Sequence, residues 1–144
     1  MKAYADTGLL VSLYLPETTS AAAQAAVTRL GEPLPLIPLA VLELRNAFNF
    51  AIQRHRLTPA ERDALWARFE QQQASGLFVP SPIPASEWQA RARELSDRHT
   101  PAIAARTLDI LHVAAALLLG AREFLSFDER QACMAAAEGL KVRP

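Results

Sequence analysis

Four carboxylates in this chain of 144 residues each interrupt an apolar context. Charged groups are rarely tolerated among buried neighbours unless they are paired or bind a metal. If the four converge, they cannot all stay ionised without a cation, and carboxylate oxygens favour Mg²⁺ or Mn²⁺ over Zn²⁺. One or two such ions would activate a water and neutralise the charge that develops on a phosphodiester during hydrolysis. The candidate residues are Asp6, Glu43, Asp109 and Asp128.

The elements that must position these acids alternate between short strands and helices. Parallel strands covered by helices on both faces bind ligands beyond their carboxyl ends. Asp6 and Asp128 each follow a predicted strand, so we expect both at that edge, with Glu43 and Asp109 on adjoining helices. The predicted strands are residues 2–6, 34–38, 77–79, 124–127 and 140–142, and the predicted helices are residues 18–30, 40–54, 58–75, 86–98, 107–119 and 130–138.

Length and composition indicate one globular domain over residues 1–144. Fifteen basic and fifteen acidic residues give a net charge of zero, which favours no nucleic-acid partner by itself. A single cysteine excludes a disulfide framework and a thiolate zinc site, and favours a reducing cytoplasm. No apolar run is long enough to cross a membrane, and no secretory leader is predicted.

The four acids lie in segments whose sequences resemble those of a known family. The segments are YADT at 4–7, ELRNA at 43–47, RTLDILHVAAA at 106–116 and FLSFDERQ at 124–131. In this order and spacing they resemble the successive motifs of the PIN domain, above all those of the VapC-type ribonuclease toxins of bacterial toxin–antitoxin pairs. The resemblance covers essentially the whole chain. It implies a single PIN-like domain, a three-layer α/β/α sandwich with a central five-stranded, mostly parallel sheet.

The same resemblance implies an activity, a metal and partners. The chain would be a metal-dependent endoribonuclease that cleaves RNA phosphodiester bonds with Mg²⁺, for which Mn²⁺ can substitute. It would act as the toxin of a pair, bind a cognate antitoxin protein and form a homodimer. The implied catalytic and metal-binding residues are Asp6, Glu43, Asp109 and Asp128, the supporting hydroxyls are Thr7 and Ser126, and the supporting amide is Asn46.

Two further groups have competing interpretations. Arg45, Arg106 and Arg130 stand near acids and could contact RNA phosphates, because a nuclease must offset repulsion between its carboxylates and its substrate. The alternative is a set of solvated helix faces. His112 lies three residues after Asp109, a spacing that suits either a metal pair or a core histidine with satisfied hydrogen bonds.

Other functions fit the sequence less well. A haloacid-dehalogenase-type phosphatase needs a second aspartate two residues after the first, and position 8 is glycine. No glycine-rich phosphate loop with lysine is present, which argues against a nucleoside triphosphatase. The remaining alternative is a non-catalytic PIN-like module that binds RNA or protein. Four clustered acids argue against it, because a silent pocket has no reason to bear clustered charge.

Overall fold

The computed structural model describes residues 2–144 and shows short strands that alternate with helices, as predicted. The strands are β1 (Ala3–Ala5), β2 (Leu34–Leu36), β3 (Phe78–Pro80), β4 (Glu123–Leu125) and β5 (Lys141–Arg143). The helices are α1 (Thr7–Tyr14), α2 (Ser20–Leu30), α3 (Pro38–Gln53), α4 (Pro59–Ala74), α5 (Ala85–Ile103), α6 (Thr107–Leu118) and α7 (Glu129–Ala137). One of these helices, α1, was not among those expected from the sequence.

All strand pairs are parallel, but the strands form two sheets in place of the single five-stranded sheet that was expected. β4 lies between β1 and β5, and β2 pairs with β3 alone. β1 and β2 lie side by side, with no ladder between them in the part of the chain that the structure describes.

Proline in β2 explains this gap. Leu34 donates its N–H to Leu77, and the carbonyl of Leu36 accepts from Ser81, so both residues bond toward β3. Alternate residues of a parallel strand bond to opposite neighbours, which leaves Pro35 on the side of β1. Proline has no N–H to donate, so the ladder across that edge is interrupted.

Two groups of helices accompany the strands. Helix α1 packs against α2 and α3, and α3 packs against α4, while α6 packs against both α5 and α7. Helix α6 is apolar and almost wholly buried from Asp109 onward, which fixes its position in the core. Helix α3 buries one stripe, formed by Ala40, Leu44, Phe48 and Ala51, and therefore holds Glu43 beside the core. Among residues 2–144, no helix is both long and apolar enough to span a bilayer.

Candidate active site

Asp6 lies directly after β1 and caps the N-terminus of α1. Its Oδ1 accepts the amide hydrogen of Leu9 at 2.8 Å, and its Oδ2 accepts the hydroxyl of Ser126 at 2.5 Å. Its own amide bonds to the carbonyl of Leu125 at 3.0 Å, which continues the pairing of β1 with β4. Both carboxylate oxygens of Asp6 are therefore fixed, and the side chain is only 1% exposed.

The environment of Asp6 favours its protonated form when no cation is present. Burial raises the pKa of Asp6, and the negative charge of Asp128 raises it further. The hydrogen bonds from Ser126 and Leu9 oppose this effect, because they stabilise the ionised form. The net pKa is still raised, so ionised Asp6 would gain from a nearby cation.

Asp109 and Asp128 lie at the N-termini of α6 and α7. Asp109 Oδ1 accepts from Gln131 Nε2 at 3.1 Å, and Asp109 Oδ2 accepts from Arg106 Nε at 3.2 Å. Asp128 caps α7 through the amide of Gln131 at 2.9 Å, and its Oδ2 lies 3.9 Å from Arg106 Nη2. Arg106 and Gln131 therefore each connect the two acids, and the positive ends of the helices stabilise both charges.

Ser126 joins the first acid to the last. Its hydroxyl donates to Asp6 and accepts the amide hydrogen of Asp128 at 3.0 Å. The side chain is buried just after β4, where the parallel pairing with β1 brings the two strand ends together. The predicted hydroxyl of Ser126 therefore contacts both the carboxylate of Asp6 and the backbone amide of Asp128.

Glu43 lies beside a different set of partners. Its Oε1 accepts from Thr7 Oγ1 at 3.0 Å and lies 2.5 Å from Nε2 of His112. The other ring nitrogen of His112, Nδ1, lies 2.6 Å from the hydroxyl of Tyr4. Of the two interpretations of His112, the structure therefore favours a core histidine with satisfied hydrogen bonds, since its ring contacts Tyr4 and Glu43 and not Asp109.

Asp6, Asp109 and Asp128 all line one open pocket of about 360 Å³. Three of the four predicted carboxylates line it, and Glu43 does not. The three come from the ends of β1 and β4 and from the first turn of α6, which is the edge at which ligands of parallel sheets bind. The lining residues are Asp6, Gly8, Val11, Ser12, Glu17, Thr19, Arg106, Asp109, Phe127, Asp128 and Gln131.

The donor set of this pocket fits a hard divalent cation. Its carboxylates and hydroxyls offer oxygen, and no histidine or cysteine is among the lining residues. Gln131 Oε1 is buried and has no hydrogen-bond partner within residues 2–144, and a cation-bound water is a donor that would satisfy it. Among residues 2–144, however, no group of three or more histidine, cysteine, aspartate or glutamate side chains is already arranged to hold a metal ion. Arg106 supplies positive charge beside Asp109 and Asp128 in this structure.

Apart from Glu43, Thr7 and Ser126, three further predicted residues lie outside the pocket. Arg45 lies 5.1 Å above the ring of Trp66 and 3.9 Å from Asp63, so its charge is directed to α4. Asn46 is exposed, and its side chain makes no hydrogen bond within the described residues. Arg130 is exposed on α7 and does not line the pocket. These three side chains are close to an acid in the sequence, but that proximity does not place them at the pocket.

Among the pocket residues that were not predicted from the sequence, Gln131 and Glu17 bear most directly on the acids. Gln131 follows Asp128 by three residues, the distance at which a side chain meets the cap of its own helix, so the spacing was a usable signal. Glu17 adds a carboxylate from the segment between α1 and α2. It stands in a polar stretch with nothing to distinguish it, so only the fold identifies it.

The comparisons with known proteins give a family match and a similarity in fold. The family model described as PIN domain matches residues 3–137. The fold is similar to that of VapC20 of Mycobacterium tuberculosis, a sarcin–ricin-loop-cleaving toxin, with a TM-score of 0.72, 17% identity and coverage of 99% of this chain and 100% of that one. It is also similar to FitAcB of Neisseria gonorrhoeae, with a TM-score of 0.68, 18% identity and coverage of 99% and 96%.

A search of curated proteins finds no match. The family match nevertheless spans nearly the whole chain and contains Asp6, Glu43, Asp109 and Asp128. The motifs found in the sequence, the parallel α/β fold and the shared pocket of three acids lead to the same assignment. This chain belongs to the PIN domain family.

Proposed function

We propose that this protein is a metal-dependent endoribonuclease that acts as the toxin of a toxin–antitoxin pair in the cytoplasm. The observation that carries the proposal is the convergence of Asp6, Asp109 and Asp128 in one pocket at the carboxyl ends of two paired strands. Membership of the PIN family and similarity in fold to the toxin VapC20 support an activity on RNA. Asp6 and Asp109 are buried, and buried charges are rarely tolerated unless they are paired or bind a metal.

Asp6, Asp109 and Asp128 would hold the cation, Mg²⁺ with Mn²⁺ as a substitute. A bound divalent cation supplies a water of lowered pKa and stabilises the charge that develops on the scissile phosphate. Ser126 and the amide of Leu9 hold the two oxygens of Asp6 in fixed directions. Because these hydrogen bonds fix the carboxylate before the reaction begins, less entropy is lost when the reacting groups are brought into position.

The remaining site residues would act around these three acids. Gln131 orients Asp109 through one amide hydrogen and offers its free carbonyl oxygen to a bound water. Arg106, whose side chain is 68% exposed, would contact an RNA phosphate, because it lies at the rim of the acids. Glu43, held by Thr7 and His112, would complete the acidic set as a ligand of a water or of a second ion.

Protein partners form part of the proposal. A toxin of this kind would bind a cognate antitoxin and form a homodimer. Exposed apolar side chains support such contacts, since Leu42 and Phe50 on α3 and Leu108 on α6 are each about half exposed or more. Phe50 also borders a groove with Val11, Leu15 and Ala47, which an apolar partner side chain would fill.

A cleavage assay with matched aspartate variants tests the activity. The purified chain is incubated with total RNA and with a synthetic sarcin–ricin-loop RNA, in Mg²⁺, in Mn²⁺ and with chelator. Asp6→Asn and Asp109→Asn remove one pocket charge each, and Asp97→Asn makes the same change on the exposed face of α5. We expect metal-dependent fragments from the wild type and from Asp97→Asn, and none from the two pocket variants.

Two outcomes would contradict the proposal. Fragments that persist in chelator or in both pocket variants would show cleavage by another site or by a contaminant. Intact RNA from a folded wild-type chain that also fails to bind Mn²⁺ would favour the non-catalytic module that binds RNA or protein.

A further inference from the structure

A buried chain of hydrogen bonds runs from Tyr4 through His112 to Glu43. We propose that Tyr4 and His112 are positioning residues that fix the Glu43 carboxylate and thereby set its contribution to metal binding. The inference rests on the proposed function and deepens it, because it assigns a role to two residues that do not line the acidic pocket. Neither Tyr4 nor His112 would touch the cation or the RNA.

The contacts come from three separate elements. Tyr4 lies in β1, His112 in α6 and Glu43 in α3, so the chain of bonds joins the strand to both groups of helices. The hydroxyl of Tyr4 lies 2.6 Å from His112 Nδ1, and His112 Nε2 lies 2.5 Å from Glu43 Oε1. Tyr4 is 1% exposed and His112 is 2% exposed, so water cannot replace either partner.

The hydrogen-bond partners of His112 determine the tautomer of its imidazole. The buried hydroxyl of Tyr4 has His112 Nδ1 as its partner among the described residues, so its hydrogen must be donated to Nδ1. Nδ1 then carries no hydrogen and His112 is the Nε2–H tautomer. Nε2 faces a carboxylate oxygen, which requires a donor at that position. Tyr4 therefore selects the tautomer that can hold Glu43.

Both donors to Glu43 act on the same oxygen. His112 Nε2 and Thr7 Oγ1 bond to Oε1, at 2.5 Å and 3.0 Å, whereas Oε2 has no hydrogen bond within residues 2–144. One oxygen is thus held, and the other keeps its lone pairs for a ligand. Thr7 adjoins Asp6 in sequence, so this arrangement ties Glu43 to the first acid of the pocket.

A glutamate side chain loses considerable rotamer freedom when it binds an ion, and a carboxylate that is already fixed loses less. Residues that orient metal ligands from outside typically change metal affinity or activity by about 10- to 100-fold when they are replaced. The alternative is that Glu43 and Tyr4 merely satisfy a buried histidine. That structural role predicts a change in stability without a specific change in metal affinity.

A double-mutant cycle separates the two roles. Mn²⁺ affinity is measured by calorimetry for the wild type, His112→Leu, Glu43→Gln and the double variant. We expect His112→Leu to weaken Mn²⁺ binding by about tenfold or more. The same substitution should have no further effect in the Glu43→Gln background, because the group that it positions is already changed. His112→Gln should recover part of the loss, since its amide can donate to Glu43.

A second pair of variants removes one hydroxyl each. Tyr4→Phe removes the group that selects the tautomer, and Tyr14→Phe makes the same change where the hydroxyl bonds to Gln72. ¹⁵N NMR of the imidazole, assigned by the loss of its signals in His112→Gln, should show the Nε2–H tautomer in the wild type and a changed protonation pattern in Tyr4→Phe. Mn²⁺ affinity should fall in Tyr4→Phe and stay unchanged in Tyr14→Phe.

The outcomes distinguish this inference from the proposed function. Wild-type Mn²⁺ affinity in folded His112→Leu, additive effects in the cycle or an Nδ1–H tautomer would overturn the positioning role while leaving the nuclease in place. If His112→Leu does not fold, the Gln and Phe variants and the NMR spectrum decide. A wild-type chain that neither binds Mn²⁺ nor cleaves RNA would overturn both.

Discussion

Asp6→Asn should stabilise the metal-free protein although it abolishes the proposed activity. Asparagine caps a helix about as well as aspartate, so the bond to the amide of Leu9 is kept. The amide nitrogen of asparagine can donate to the Ser126 hydroxyl oxygen, so the second partner of the side chain is also retained. The substitution therefore removes chiefly one buried charge.

The pH dependence follows from the direction of the pKa shift. Burial raises the pKa of Asp6 in the folded chain, with the charge of Asp128 adding to the effect. Between the unfolded and the folded pKa, the folded state binds more protons, so the free energy of unfolding falls as pH rises. Below the unfolded pKa the aspartate is protonated in both states, and the difference from Asp6→Asn should nearly disappear.

The size of the effect can be worked out from linkage. Each pH unit between the two pKa values is worth about 1.4 kcal/mol, which corresponds to about 3 to 6 °C in Tm for a domain of this length. At pH 7.5 without metal, we therefore expect a Tm for Asp6→Asn that is higher than that of the wild type, by that amount for each pH unit that separates the two pKa values. Mg²⁺ at about 100 times its Kd should stabilise the wild type by about 2.7 kcal/mol and the variant far less.

Thermal unfolding by circular dichroism at pH 3 and pH 7.5, with Mg²⁺ or with chelator, measures all of these differences. Asp97→Asn serves as the control, because the same change on the exposed face of α5 should leave Tm and its response to Mg²⁺ unchanged. A metal-free Tm below that of the wild type at pH 7.5 would refute the reasoning about the buried charge. An equal Mg²⁺ response in the two proteins would refute the role of Asp6 as a ligand.

Of two further substitutions, one is expected to change function and the other only stability. Arg106→Gln removes the guanidinium paired with Asp109 and Asp128, so Mn²⁺ affinity measured by calorimetry should rise. RNA affinity should fall, and the slope of the logarithm of the RNA-binding constant against the logarithm of salt concentration should become shallower by about 0.7 to 0.9. A lower Mn²⁺ affinity would contradict this competition. Thr58→Ala breaks the capping box at the start of α4 and should lower stability by about 1 kcal/mol in denaturant unfolding, with RNA cleavage per folded molecule unchanged. A loss of cleavage by the folded variant would show that α4 takes part in the site.

The fold was predictable wherever local signals agreed. The Thr58 capping box marked the start of α4, and alternating strands and helices predicted parallel pairing. Helix α1 was not predicted, because its residues are apolar on nearly all sides and show no period that separates a helix from a strand. Its start depends on Asp6 acting as a cap, which becomes evident only once the end of β1 is known.

The split sheet has a different cause. The alternation of elements predicts parallel strands but does not state which edges carry a continuous ladder. That depended on Pro35, whose effect follows from the direction in which β2 bonds to β3. A proline in the middle of a short predicted strand indicates that hydrogen bonding along one side of that strand is incomplete.

Within the site, residues at strand ends and helix starts were predicted better than residues placed by spacing alone. Asp6, Asp109 and Asp128 converge because parallel strands and their following helices share one edge. Asn46, by contrast, lies three residues after Glu43 but is exposed. Its short side chain does not reach the site that the longer side chain of Glu43 reaches. Helical spacing places two Cβ atoms on one face without fixing where the side chains end.

The same geometry explains how the chain folds around so much negative charge. Asp6 and Asp128 accept backbone amides at helix N-termini, and Asp109 lies in a first turn, so helix ends supply partial positive charge to each acid. Arg106 adds one full charge across Asp109 and Asp128, at a position where its side chain stays largely in solvent. These contacts hold the acids together when no cation is present but leave the pKa of Asp6 raised, so charge remains for a cation to neutralise. A pocket compensated more fully by basic side chains would be more stable and would bind a divalent ion less tightly.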